Sequence, residues 1–159
     1  MNIELINKTK NKLPLSELKN LAEFFAKKYR LSFSSLAVVF VGEQRIKTLN
    51  HQYRGQDTPT DVLSFSPANF PDAAAELIIC PLRVFRHQDY REVFLDYPEL
   101  FSSRLNATLK KKLDHYLLCF VLVHGLLHLV GYNDEKEKDR LEMVAEGRKF
   151  LANKDFLIN

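Results

Sequence analysis

Residues 107–130 read ATLKKKLDHYLLCFVLVHGLLHLV, and the fold turns on how this run is read. From Tyr116 to Val130 the apolar character is broken only by His124, Gly125 and His128. That stretch is shorter than the roughly 20 residues a membrane span needs, so the run predicts one long helix of a soluble protein. Gly131 suits the left-handed position that stops a helix. Downstream, NDEKEKDRLEMVAEGRKFLAN at 133–153 predicts a last helix with Leu141, Val144 and Leu151 inward.

Upstream, NIELIN at 2–7 alternates and predicts a first strand. LSELKNLAEFFAKKYR at 15–30 sets Leu18, Leu21, Phe24, Phe25 and Tyr29 at helical spacing, with Ser16 as its cap and Glu17 in its first turn. SLAVVFV at 35–41 is a β-branched and aromatic run, a buried strand. EQRIKTLNHQYR at 43–54 puts Ile46, Leu49 and Tyr53 on one helix face, and the turn-rich GQDTPTD follows. VLSFS and ELIICPL predict two more short strands. Residues 83–103, charged and aromatic, read as helical in part. Four short strands and about five helices define an α+β fold: one domain over 1–159, with a small mixed sheet covered by helices.

At 159 residues the chain is long enough for one stable core. Its net charge of +3 permits a nucleic-acid partner without demanding one. Lysine and arginine cluster at Lys8, Lys10 and Lys12, at Lys27, Lys28 and Arg30, and at Lys110 to Lys112; charge patterning alone reads these as solvated faces. Cys80 and Cys119 sit in apolar surroundings without framework spacing, which predicts buried thiols in a reducing compartment. The opening MNIELINKTK has no apolar core of a signal peptide. The expected location is the cytoplasm, with no membrane partner.

His124 and His128 are four residues apart, hence about 40° apart on one helix face and one turn apart in height. Two imidazoles so placed can hold one metal ion; they can also be satisfied core groups. A zinc site that does chemistry has three protein ligands and an open position. Asp134, just past the turn at Gly131, is the candidate third ligand. It has a rival role, since with Glu137 it matches a capping box for the last helix. Residue 125 is glycine where a metallopeptidase would carry its general-base glutamate, which counts against peptide hydrolysis. The missing side chain would also leave room beside the ion.

The second constellation is LNHQYRGQDTPTDVLSFS, Leu49 to Ser66. Arg54 falls near a helix C-terminus, where a cation is favoured; its planar fork also matches phosphate oxygens. Thr60 and Asp61 fit turn chemistry ahead of a buried strand.

Together with HGLLHLVGYND at 124–134, this run resembles the YbeY family of bacterial endoribonucleases involved in ribosomal RNA maturation. Leu49, Asn50, Tyr53, Arg54, Asp57, Pro59, Thr60, Asp61, Val62, Leu63, Ser64 and Phe65 match its first pattern. His124, Gly125, Leu127, His128, Leu129, Gly131 and Tyr132 match its second. The resemblance covers nearly the whole chain and implies a metal-dependent, single-strand-specific endoribonuclease acting in rRNA processing and ribosome quality control. It implies Arg54 as the catalytic residue, with RNA precursors, the small ribosomal subunit, and a GTPase or ribosomal protein as partners.

Two departures stand out. The family's third metal-binding histidine falls on Asp134, preceded by Asn133, and the usual GDI ahead of the fourth strand appears as Ala75, Glu76 and Leu77. A carboxylate can ligate zinc at about 2.0–2.2 Å, but its charge makes the ion a weaker Lewis acid. Zn2+ is the expected cofactor, and two histidines with one carboxylate also suit Fe2+ or Mn2+. An ion held by His124, His128 and Asp134 is expected to acidify a water, with Arg54 steadying phosphate charge. Glu76 and Asp61 are general-base candidates by chemistry alone, and Lys47 and Arg83 candidate guides for the RNA backbone. No aromatic RNA-binding motif is present, so backbone and shape contacts are expected. The rival readings are a non-catalytic ribosome assembly factor with a structural or lost metal, and a zinc metallopeptidase.

Overall fold

A computed structural model describes residues 1–67, 73–94 and 105–152 of the chain. The order is β1 (Asn2–Asn7), α1 (Leu15–Lys28), β2 (Ser35–Phe40), α2 (Glu43–Arg54), β3 (Val62–Phe65), β4 (Ala75–Ile79), α3 (Pro81–Val84), a 3-10 segment (His87–Phe94), α4 (Ala107–Leu129) and α5 (Glu137–Ala152). The strands form one mixed sheet in the order β1-β2-β4-β3. β1, β2 and β4 run parallel, and β3 lies antiparallel to β4 with Val62 opposite Ile79. This is the α+β architecture expected from the element pattern.

Period-two alternation divides the strand side chains between two faces. Leu36, Val38, Phe40, Val62, Ala75, Leu77 and Ile79 join the main core with α1 and α4. Val39, Leu63 and Ile78 turn the other way, onto Ile46 and Leu49 of α2. α4 is the central helix, buried from Leu113 almost without interruption to Leu129. By length and composition it could cross a membrane, but 72% of its apolar window is buried inside the protein. A helix apolar all round needs cover on every side, and the sheet, α1 and α5 provide it.

The structure changes several expectations. α1 starts from Pro14, whose carbonyl accepts from Leu18 N at 3.0 Å, and no side chain caps it; Ser16 lies inside the first turn. ELIICPL is strand only through Ile79, because Pro81, lacking an N–H, opens α3 instead. The partly helical reading of 83–103 holds for α3 and the 3-10 segment, and 95–103 lies outside the described residues. α5 begins at Glu137 rather than 133, and residue 153 also lies outside the described part. Its inner face is Met143, Gly147, Phe150 and Leu151. Leu141 is 45% exposed, because two residues before Met143 is about 200° away around the helix. Cys80 and Cys119 are buried free thiols as expected, and burial pushes the Cys119 thiol up to about 12.

Candidate functional site

α4 ends in a turn that places the third polar group beside the first two. Val130 is the last helical cap, and Gly131 takes the left-handed φ of 98° that the turn requires. Tyr132 N then bonds Leu127 O and Gly131 N bonds His128 O, both at 3.1 Å, which is a Schellman closure. The reversal carries Asp134 back over the helix end. One ligand atom from each of His124, His128 and Asp134 lies within 4.8 Å of the others. Asp134 Oδ2 is 3.3 Å from His124 Nε2 and 3.4 Å from His128 Nε2. The imidazole rings stand nearly perpendicular, 4.9 Å between centroids. Asp134 is therefore not the N-cap of α5, which starts three residues later; the cap reading gives way to the cluster.

The proton inventory favours a cation among these atoms. His128 Nδ1 lies 3.1 Å from the carbonyl oxygen of Tyr132. A carbonyl only accepts, so Nδ1 carries the proton and donates. Burial, and then the neighbouring His124, hold the His128 pKa below its ordinary value, so its Nε2 keeps a lone pair at neutral pH. That lone pair faces a carboxylate oxygen, two electron-rich atoms that repel until a cation stands between them. Fixing a histidine tautomer through its other nitrogen is also how metal ligands are oriented. His124 Nδ1 is buried and unpartnered among the described residues, so its Nε2 is the nitrogen turned to the cluster. The side-chain contact with His124, then the proximity of the two imidazoles, holds the Asp134 carboxyl down at about 2, against a desolvation that works the other way. The residues present fit a divalent ion.

Arg54 ends α2, and Gly55 caps it with a left-handed φ of 69°. Its guanidinium is exposed and close enough to His128 for its charge to disfavour protonation there. Asn50, buried in α2, donates to Thr58 O at 2.8 Å and ties the following turn to the helix that presents Arg54. β3 completes the floor: Ser64 Oγ donates to the carbonyl of Gly125 at 3.1 Å. Gly125 does not open space beside the histidines, as the missing side chain had suggested. Its bare Cα faces the sheet, where a Cβ would sit 3.1 Å from Val62 Cγ2 and 3.2 Å from Leu77 Cδ2.

Other sequence candidates fall elsewhere. Asp61 accepts from the Tyr90 hydroxyl at 2.6 Å through Oδ2 and from Val62 N at 2.8 Å through Oδ1. It is a latch between the 3-10 segment and β3, with each of its oxygens already accepting a hydrogen bond. Glu76 belongs to the sheet face turned away from α4, where it lines a cleft of ≈ 240 Å³ with Lys8 and Arg45. Lys47 pairs with Asp57 at 3.7 Å and Arg83 with Glu43 at 3.8 Å, so both cations already have acidic neighbours. The carbonyl of Tyr132, the Ser64 hydroxyl and the Tyr90 latch were not singled out from the sequence. Only the first had a signal, since Gly131 implies a turn that swings a carbonyl back over the helix end.

Fold and site together define a class: a small α+β protein whose central helix and following turn form a His–His–carboxylate cluster, with the charge of an arginine at the end of α2 felt at His128. The family described as Endoribonuclease YbeY matches residues 4–155. The chain belongs to the YbeY family. It is 35% identical over 150 residues to the Endoribonuclease YbeY of Thermotoga maritima, covering 94% of this chain and 86% of that one. It is 33% identical over 159 residues to that of Limosilactobacillus reuteri, covering 95% and 96%. The solution structure of TM1509 from Thermotoga maritima superposes with a TM-score of 0.54 at 30% identity, over 96% of this chain and 90% of that one.

Proposed function

We propose that this protein is a metal-dependent endoribonuclease that cuts single-stranded RNA, and that it acts in ribosomal RNA processing and ribosome quality control. Family membership supports the activity. The observation that carries the chemistry is the convergence of one ligand atom each from His124, His128 and Asp134 within 4.8 Å, with Asp134 Oδ2 3.3 and 3.4 Å from the two Nε2 atoms. These three hold the ion, Zn2+ in the first instance, with Fe2+ or Mn2+ also suited to two histidines and a carboxylate. When bound, the ion supplies Lewis acidity and acidifies water near neutral pH. His128 presents its lone pair because the Tyr132 carbonyl keeps the proton on Nδ1. Arg54 clamps the phosphate and stabilises the charge that grows on it during attack. The proposed partners are rRNA precursors and the small ribosomal subunit, with a GTPase or ribosomal protein as a further partner, and the proposed setting is the cytoplasm.

The test is an elemental analysis of the purified protein and of His124→Ala, with cleavage of an unstructured RNA measured on both. The parent is expected to carry close to one ion per chain and to cut; the variant is expected to do neither. A parent that holds metal and sediments with ribosomes but cuts no RNA would instead be the assembly factor.

A further inference from the structure

We propose that the cleft between α2 and the sheet face turned away from α4 binds one nucleotide, with Lys8 and Arg45 on its phosphate and Glu76 accepting a hydrogen bond from its base or sugar. This site is separate from the His124–His128–Asp134 centre and works without its metal.

Lys8, Arg45 and Glu76 line the cleft together, around a volume of ≈ 240 Å³. Its floor is apolar, formed by Val39 and Val41 at the end of β2, Ile78 of β4 and Leu49 of α2. The helix that carries the histidines packs on the other face of the sheet, where Gly125 lies against Val62 and Leu77. Strand alternation thus gives each face of one sheet its own polar site.

The charges mark this cleft out. None of the three makes an ion pair among the described residues, whereas the nearby Lys47 and Arg83 are matched by Asp57 and Glu43. Arg45 is the third residue of α2, in the turn where the helix dipole disfavours a cation. Lys8 is held in place by its backbone: its N–H bonds Phe40 O at 2.9 Å. Asn7 Oδ1 fixes the residues that follow, accepting from Thr9 N at 2.9 Å and Thr9 Oγ1 at 2.7 Å. Two cations brought to one cleft repel each other until an anion joins them.

Charge and shape select the occupant. A bare phosphate would meet the Glu76 carboxylate as well as the cations, and would leave the apolar floor uncovered. A zwitterionic amino acid would satisfy Glu76 but balance only one of the two cations. A nucleotide brings an anionic phosphate, a flat body to lie on the apolar floor, and N–H or O–H donors for Glu76. The volume is below the roughly 300–1,000 Å³ of pockets for drug-sized ligands, which suits a single nucleotide.

The experiment is an isothermal titration of the metal-loaded protein with uridine 5′-monophosphate, uridine, inorganic phosphate and leucine. Arg54→Ala is titrated alongside, to separate this cleft from phosphate binding at the metal centre. The monophosphate is expected to bind the parent and Arg54→Ala alike, and more tightly than the other three ligands. Lys8→Ala and Arg45→Ala should each weaken it about fivefold, with Lys8→Arg and Arg45→Lys restoring most of the affinity. Displacement of the monophosphate by a single-stranded RNA identifies the occupant as a nucleotide of the RNA chain, and simultaneous binding identifies it as a free nucleotide. No binding of the monophosphate to Arg54→Ala, parental affinity in both alanine variants, or leucine binding as tightly as the monophosphate overturns the proposal. Binding is read without cleavage, so a protein that cuts no RNA would sink the nuclease reading and leave this one to be judged on the titration alone.

Discussion

Asp134 is where single-residue chemistry decides the most. A histidine at this point would offer a neutral ligand; a carboxylate brings a negative charge and offers an oxygen in its place. Its pKa of about 2 keeps it ionised at any working pH. Asp134→Ala is expected to lose tightly bound metal, while Asp134→His retains it, as elemental analysis after dialysis would show. Metal retained at parental affinity in the alanine variant would remove Asp134 from the ligand set. Arg54 divides binding from chemistry in the opposite sense. Arg54→Ala should keep its metal and lose about a hundredfold in cleavage rate, since the role proposed for the side chain is on the phosphate and not on the ion.

Between elements, the tightest constraint is the contact of α4 with the sheet at Gly125. An added methyl there would press on Val62 and Leu77 at 3.1 and 3.2 Å, both buried and both flanked by packed neighbours. Gly125→Ala is expected to lower stability by about 1–3 kcal/mol in a denaturant titration, and to disturb the Ser64 bond to the Gly125 carbonyl. Because His124 is the next residue, metal affinity should fall as well. An unchanged denaturation midpoint would mean that the helix rides further from the sheet than 3 Å contacts allow. The Tyr90–Asp61 latch works at the same scale, since it fastens the 3-10 segment to the strand that floors the site. Burial, then the Asp61 carboxylate, raises the Tyr90 pKa, so the phenol stays a donor and the latch stays closed in ordinary buffers.

For the molecule as a whole, an ion that binds the folded chain alone must stabilise it. At a free metal concentration a hundred times Kd the gain is about 2.7 kcal/mol, which for a domain of this size corresponds to roughly 5–11 °C in Tm. Chelation should reverse the shift, and His124→Ala should not show it; equal melting with and without metal would argue that no ordered cage forms. Net charge is only +3, so RNA affinity has to come from local cations. Binding to a single strand should weaken with salt, and Arg54→Ala should reduce the slope of log K against log salt by about 0.7, the value for one phosphate contact.

What the sequence by itself determined is local or repeated along the chain. Strand alternation, the single long helix at 107–129, the glycine that ends it and the spacing of His124 and His128 all depend on near neighbours and on fixed helical geometry, and the structure bears them out. Arg54 came from the resemblance to the family's motif, not from any local pattern. Tertiary structure decided whatever depends on which way a side chain turns once distant segments meet. Asp134 had two local roles of similar merit, cap and cluster, and the tight reversal at Gly131 selected the cluster by swinging the carboxylate over both imidazoles. Gly125 was judged by its neighbours in sequence, whereas its space belongs to Val62 and Leu77, dozens of residues away. Asp61 and Glu76 looked alike as carboxylates, until one closed on Tyr90 and strand alternation turned the other to the far face of the sheet. Packing across the sheet makes these choices, and no window of consecutive residues contains them.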